Sequence, residues 1–112
     1  MDFEGRGSAR IDSENLLAFR LFDTDGRVFH EGMVKTLDIS RTGVSIQSPV
    51  PMEKGLRIEL TIGIGDDVVK ARGLVRNQHE LDENTFQVGI EFEFLSEDDL
   101  NKMSVTFPSI LK

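Results

Sequence analysis

The chain has 112 residues and a formal net charge of −7, so it is long enough for one domain but too acidic to favour a long polyanion such as DNA. It contains no cysteine, which excludes disulfides, thiolate metal sites and cysteine nucleophiles. No stretch approaches the roughly 20 apolar residues needed to cross a bilayer, and the N-terminus lacks the apolar segment of a secretory signal. These features predict one cytoplasmic domain over residues 1–112.

The first residues are rich in glycine, serine and charge, which predicts a mobile N-terminal arm over residues 1–12. Within it, the stretch RGSAR places Arg6 and Arg10 on either side of three small residues. The planar guanidinium group can donate two parallel hydrogen bonds to phosphate oxygens, or to O6 and N7 of guanine. The small residues leave room for both arginines to converge on one bulky ligand.

Alternation of apolar and polar residues dominates the middle of the chain and predicts β-strands. It is clearest in LRIELTIGI, where every second residue is apolar. Short turns rich in Gly, Asp and Pro separate the strands, and closure into a small antiparallel barrel removes open strand edges. The predicted strands cover residues 15–22, 27–39, 43–47, 56–64, 68–77 and 85–94, within a barrel region at 14–94.

A polar turn lies between the second and third predicted strands, in the stretch LDISRTGVSI. Asp38 could accept hydrogen bonds from the N1 and N2 donors of a guanine edge, and Ser40 could donate to a phosphate. Gly43 permits either a positive φ or a close approach of another group to the backbone. Such residues are also common in ordinary turns, so this pattern alone leaves both interpretations open.

The hydrophobic period changes after residue 95. Ser96 precedes three acidic residues, a pattern typical of a helix N-terminus. The apolar residues that follow are spaced for one helical face, and Pro108 ends the run. The sequence therefore predicts one C-terminal helix over residues 97–107.

No combination of residues typical of a catalytic or metal site is found in the sequence. It has no Gly-x-Ser-x-Gly elbow, no phosphate-binding loop and no His-x-x-x-His pair, and His30 and His79 are isolated from each other. DTDG at 23–26 is similar to the start of a calcium loop, but the later ligands are missing. We therefore predict that the protein is not an enzyme and has no metal or cofactor.

The order of these features resembles that of the PilZ domain, the bacterial receptor module for cyclic di-GMP. RGSAR matches the family's Arg-x-x-x-Arg motif, and DISRTG matches its [Asp/Asn]-x-Ser-x-x-Gly motif. The later stretches MEKGLRIELTI, ARGLVRN and FQVGIEFEFLSEDD resemble the family's remaining strands and the start of its helix. The resemblance covers the chain from about residue 4 onward and implies a mainly β fold, a six-stranded antiparallel split barrel with one C-terminal helix.

The resemblance also implies a ligand site and the role of each residue in it. Arg6 and Arg10 would grip the guanine and phosphate groups of cyclic di-GMP, while Asp38, Ser40 and Gly43 would line the barrel side. Many family members have a basic residue before the first motif arginine, where this chain has glycine, so one or two bound ligand molecules both remain possible. A second Arg-x-x-x-Arg, RGLVR at 72–76, is interpreted as part of a strand near the ligand face.

The function implied is that of a receptor whose arm closes over cyclic di-GMP and alters a partner-docking surface, regulating processes such as motility, exopolysaccharide production or biofilm formation. The arm would order only when the ligand supplies new contacts. We expect the output to pass to a separate effector protein, docked on the acidic stretch 80–99, which could equally be a solvated face. The alternative is a protein-interaction module of the same fold with little or no nucleotide affinity. A barrel for single-stranded nucleic acid is disfavoured by the acidic charge.

Overall fold

The computed structural model describes residues 11–111, and it confirms the predicted six-stranded antiparallel barrel with a single C-terminal helix. The elements are β1 (Ile11–Asp12), β2 (Leu16–Phe22), β3 (Val28–Ile39), β4 (Gly43–Ser48), β5 (Arg57–Ile64), β6 (Asp67–Asp82) and β7 (Thr85–Leu95), followed by α1 (Glu97–Thr106) and a 3-10 helix (Pro108–Leu111). No helix within the described residues is both long and apolar enough to span a membrane.

Six strands form a closed ring in the order β3-β2-β5-β6-β7-β4, and pairing between β3 and β4 completes it. The additional strand, β1, lies outside the ring and pairs with β3. Ile11 and Asp12, which the sequence placed in the arm, form this two-residue strand. A strand this short contains too few residues to show a periodic pattern, so the sequence could not indicate it.

The barrel interior is filled by the inward-facing residues of each strand. In β5, for example, Ile58, Leu60 and Ile62 are buried, while Arg57 and Thr61 are exposed. The predicted alternation therefore corresponds to the two faces of the strand. The helix end of the barrel is closed by Met103 and Ile110, both fully buried.

Strand β6 continues to Asp82, five residues beyond the predicted end at residue 77. Its last residues, 78–82, are all exposed and pair with β7 in a hairpin, beyond the residues of β6 that pair with β5. Register shifts after Val75 and Glu80 interrupt the ladder there. Because both faces of this segment are solvated, it lacks the apolar alternation by which a half-buried strand is identified in a sequence.

The start of α1 has the predicted cap. The Ser96 side chain accepts a hydrogen bond from the Asp99 amide at 3.0 Å, and its hydroxyl donates to the Asp99 carboxylate at 2.9 Å. The helix ends at Thr106, one residue before the predicted end, and the Phe107 amide donates to the Met103 carbonyl.

Replacing Ser96 by alanine is expected to lower the free energy of unfolding by about 1 kcal/mol, because the Asp99 amide loses its acceptor. Urea denaturation followed by far-UV circular dichroism measures this difference. Ser109→Ala, at an exposed position in the 3-10 helix, is the matched control and is expected to leave stability unchanged. Equal stability of the two variants would contradict a stabilising cap.

Candidate functional site

The predicted polar turn connects β3 to β4 and is held by its own hydrogen bonds. The Ser40 amide donates to the Gly43 carbonyl at 2.9 Å. The Ser40 hydroxyl is buried and accepts from the Thr42 amide at 3.2 Å, while its oxygen lies 3.1 Å from the Thr42 hydroxyl. The Thr42 carbonyl in turn accepts from the Phe92 amide of β7 at 2.9 Å. Ser40 therefore fixes the shape of the turn, which is anchored to a strand distant in sequence.

The outer face of β4 is lined by small residues. Val44 and Ile46 are buried in the core, so Gly43 and Ser45 face the opposite side. Ser45 pairs with Asp38 on β3 and with Gly89 on β7. The side chains of this part of the sheet are small, and Gly43, Ser45 and Gly89 are all buried. We call Asp38, Gly43, Ser45 and Gly89 the outer floor.

An ion pair borders the outer floor on the side of β7. Gly43 pairs with Glu91, whose carboxylate oxygen lies 3.1 Å from Nε of Arg76. Arg76 occupies the extra position of the register shift between Val75 and Asn77. Such bulges change the direction in which a side chain points. The sequence placed Arg76 on a strand near the ligand face, but it contained no signal for the partnership with Glu91.

A pair of carboxylates borders the floor on the side of β1. Asp12 is the direct cross-strand partner of Asp38, and Ile11 is that of Ile39. Like charges at directly opposed positions repel each other, so this edge of the floor favours a nearby cation. The chain reaches it directly after Arg10 in sequence. Arg6 and Arg10 themselves lie outside the described residues.

Gly43 does not adopt a positive φ. Positive φ values within residues 11–111 occur at Gly26, Gly55 and Gly65, each in a turn, whereas Gly43 begins β4 in an ordinary strand conformation. A positive φ, one of the two roles predicted for Gly43, is therefore wrong. Gly43 is buried, and its lack of a side chain permits another group to pack closely against its backbone.

The polar turn at 23–26 is a hairpin connection. Oδ1 of Asp23 accepts hydrogen bonds from the amides of Asp25 and Arg27, both at 2.9 Å, which is the local bonding of an Asx turn. His30 packs against the ring of Phe19, with 5.4 Å between the ring centres. Within the described part of the chain, no three His, Asp or Glu residues are grouped so that they could hold a metal ion.

Comparison with known families and structures gives a consistent result. The family model of the PilZ domain matches residues 5–105. The inhibitor of motility MotI/DgrA from Bacillus subtilis is similar with a TM-score of 0.74 at 13% identity, over 96% of this chain and 52% of that one. The PilZ domain of YcgR from Escherichia coli, solved with cyclic di-GMP, has a TM-score of 0.68 at 15% identity, over 93% and 90%. The complex of MrkH from K. pneumonia with cyclic di-GMP has a TM-score of 0.67 at 16% identity, over 96% and 52%.

The chain thus spans about half the length of MotI and of MrkH, and nearly the whole of the YcgR domain. At these sequence identities, the structural likeness shows a shared fold. A search of the curated proteins found no match to the sequence.

Proposed function

Because the chain belongs to the PilZ domain family, we propose that it is a cytoplasmic receptor for cyclic di-GMP that passes its signal to a separate protein. The observation that carries this proposal is the position of the DISRTG motif, which borders the outer floor beside β1. The YcgR domain and MrkH, which share this fold, are both solved with cyclic di-GMP.

The outer floor suits one face of a planar base. Gly43 and Gly89 have no side chains and Ser45 has a small one, so no bulky side chain of these three buried residues would keep a planar ring away from the backbone. Asp38 lies at the edge of this surface, where its carboxylate can accept from the N1 and N2 groups of guanine. We assign the turn and the floor to the barrel side of the ligand site.

The arginines of the arm are proposed to form the opposite side of the site. Ile11 pairs with Ile39, so the described chain begins beside the residue that precedes Ser40. An extended chain covers about 3.3–3.6 Å per residue, which gives Arg6 a reach of roughly 17 Å from Ile11. Both arginines can therefore reach a ligand on the floor and donate to its phosphates or to a guanine edge.

A calorimetric titration of cyclic di-GMP into the protein tests this function, and saturable heat is the expected result. The stoichiometry of the titration also decides between one and two ligand molecules per site. A trace without binding heat at high protein concentration would favour the alternative, a PilZ-fold interaction module with little or no nucleotide affinity.

The ion pair at the edge of the floor is expected to limit affinity. Replacing Glu91 by glutamine removes a negative charge next to an anionic ligand and leaves Arg76 free to turn toward it. We expect the variant to bind cyclic di-GMP about 2- to 5-fold more tightly in calorimetry, as is typical of a weak exposed ion pair. Glu93→Gln, two residues along β7 and paired with Arg57 at 3.9 Å, is the control. Weaker binding by the Glu91 variant would instead mean that the ion pair organises the floor.

The proposed partner surface is narrower than the acidic stretch 80–99. Residues 80–84 lie at the tip of the β6–β7 hairpin, and residues 97–99 begin α1. The intervening strand β7 has 11 residues, and at about 3.3 Å per residue it keeps the two acidic groups roughly 30 Å apart. The acidic residues at the two ends of β7 are therefore separate, and we propose the hairpin tip as the surface that contacts the effector.

A further inference from the structure

A cavity of about 790 Å³ lies on the outside of the barrel, where the β2–β3 turn and the β4–β5 loop face strands β5, β6 and β7. Its volume lies within the range of small-molecule sites. None of Asp38, Ser40 and Gly43 lines it, so it is separate from the outer floor.

Aromatic and aliphatic side chains form one wall of this cavity. A register shift between Arg72 and Gly73 leaves Glu93 without a cross-strand partner on β6. It turns the side chain of Phe94 to the outer face, where Phe94 is 52% exposed. Phe22 at the end of β2 and Leu56 before β5 complete the apolar wall. The bulge places the Phe94 side chain in solvent beside the cavity, so this side chain does not contribute to the packing of the core.

Among residues 11–111, Arg57 and Arg72 donate no side-chain hydrogen bond to a carboxylate. The guanidinium carbon of Arg72 lies 5.0 Å from the centre of the Phe94 ring, and no ion pair links this arginine to a carboxylate of residues 11–111. The neighbouring Arg57 is 78% exposed, and its Nε lies 3.9 Å from the Glu93 carboxylate, beyond hydrogen-bonding distance.

Three carboxylates also line the cavity, those of Asp23, Glu59 and Glu93. Glu59 lies 3.6 Å from Arg20, which also approaches Glu31 at 3.8 Å. Asp23 accepts two backbone hydrogen bonds within its turn. The lining therefore offers an aromatic surface and two guanidinium groups on neighbouring strands, together with three carboxylates, of which that of Asp23 is bound within its own turn.

We infer that this cavity binds a small aromatic anion. The ring of the ligand would pack against Phe94 and Phe22, and its carboxylate, sulfonate or phosphate would accept hydrogen bonds from Arg57 and Arg72. This inference does not rest on the proposed binding of cyclic di-GMP, because the two sites share none of the motif residues.

Two-dimensional ¹H–¹⁵N NMR with naphthalene-2-carboxylate as the probe tests the inference. For a probe of this size we expect a Kd on the order of 1 mM. Saturable shifts are expected at the amides of Gly26, Gly55, Gly73 and Phe94, which border the cavity. The neutral naphthalene-2-carboxamide is expected to bind at least about 5-fold more weakly because it has no charge for the guanidinium groups.

Two exposed substitutions provide the matched comparison. Phe94→Ala and Arg72→Gln are each expected to weaken probe binding about 5-fold or more, since each removes part of the stacked pair. Phe29→Ala is the control, because Phe29 is 54% exposed, close to the 52% of Phe94, but lies outside the cavity. It is expected to leave the Kd unchanged.

Three results would overturn the inference: equal binding of the neutral amide, equal binding by the Phe94 variant, or shifts centred on other surfaces. Shifts at Gly43 and Ser45 would assign the probe to the outer floor, and shifts at the exposed Leu16 and Met33 would indicate unspecific apolar binding. Arg10→Ala is expected to keep full affinity for the probe. Failure of cyclic di-GMP binding is therefore distinguishable from failure at this cavity.

Discussion

Replacing Arg10 by alanine is expected to weaken the binding of cyclic di-GMP by about 5- to 150-fold, the value of one bidentate arginine–guanine pair at about 1–3 kcal/mol. Arg10 directly precedes β1, which pairs with β3 beside the polar turn, so it is the arm arginine nearest to the outer floor in sequence. Isothermal titration calorimetry is the suitable measurement, because the chain contains neither Trp nor Tyr for intrinsic fluorescence.

The matched control is Arg27→Ala, which removes an exposed arginine from the β2–β3 turn without touching the floor. It is expected to bind like the wild type. Asp38→Ala should weaken binding from the barrel side, since it removes the proposed acceptor of the guanine edge. Unchanged affinity of the Arg10 variant, with saturable binding by the wild type, would show that the arm does not grip the ligand. The dependence of affinity on salt concentration is a second criterion. As the salt concentration rises, a site for one small ligand loses affinity less steeply than a site for a polyanion.

Replacing Gly73 by alanine is expected to lower the free energy of unfolding by about 3 kcal/mol, at the upper end of the usual cost of overpacking. A Cβ atom at this position would lie 2.5 Å from the Glu91 carbonyl oxygen and 2.8 Å from Cγ2 of Ile90. The first of these atoms belongs to the backbone of β7, so the strand itself must move. Urea denaturation followed by circular dichroism measures the loss.

Gly32→Ala is the matched control for this effect. Gly32 is also a strand glycine, but a Cβ atom there would lie 3.6 Å from the Phe19 ring, an ordinary van der Waals distance. Its stability is expected to change by less than about 1 kcal/mol. If both variants were equally stable, the close approach of β6 and β7 at Gly73 would not be maintained in solution.

The sequence predicts those elements whose side chains face the core in a regular order. The inward series of β5, from Ile58 to Ile64, produces the alternation that identifies a strand. Ser96 and the acidic residues after it identify the helix start. The sequence does not predict β1 or the end of β6. These segments are held by pairing with distant strands, and they bury too few side chains on one face to show a period.

The candidate site divides in the same way. Asp38, Ser40 and Gly43 could be identified from a local motif, because their spacing is that of a single turn. Gly89 and Glu91 could not, since they reach the floor only through the pairing of β4 with β7. Arg76 approaches Glu91 through a register shift, and the sequence alone does not determine the position of such a shift.

The closure of the ring has a consequence for the order in which the protein folds. β4 follows β3 after a short turn and pairs with it. The other edge of β4 pairs with β7, which follows some 40 residues later, so this edge stays unpaired until β7 is in place. Contacts of such large sequence separation form slowly, because the intervening chain must first be ordered. The outer floor is therefore expected to be among the last surfaces completed during folding. A ligand that binds this floor would bind only chains whose barrel has closed. Partly folded chains would not bind it and would not respond to the signal.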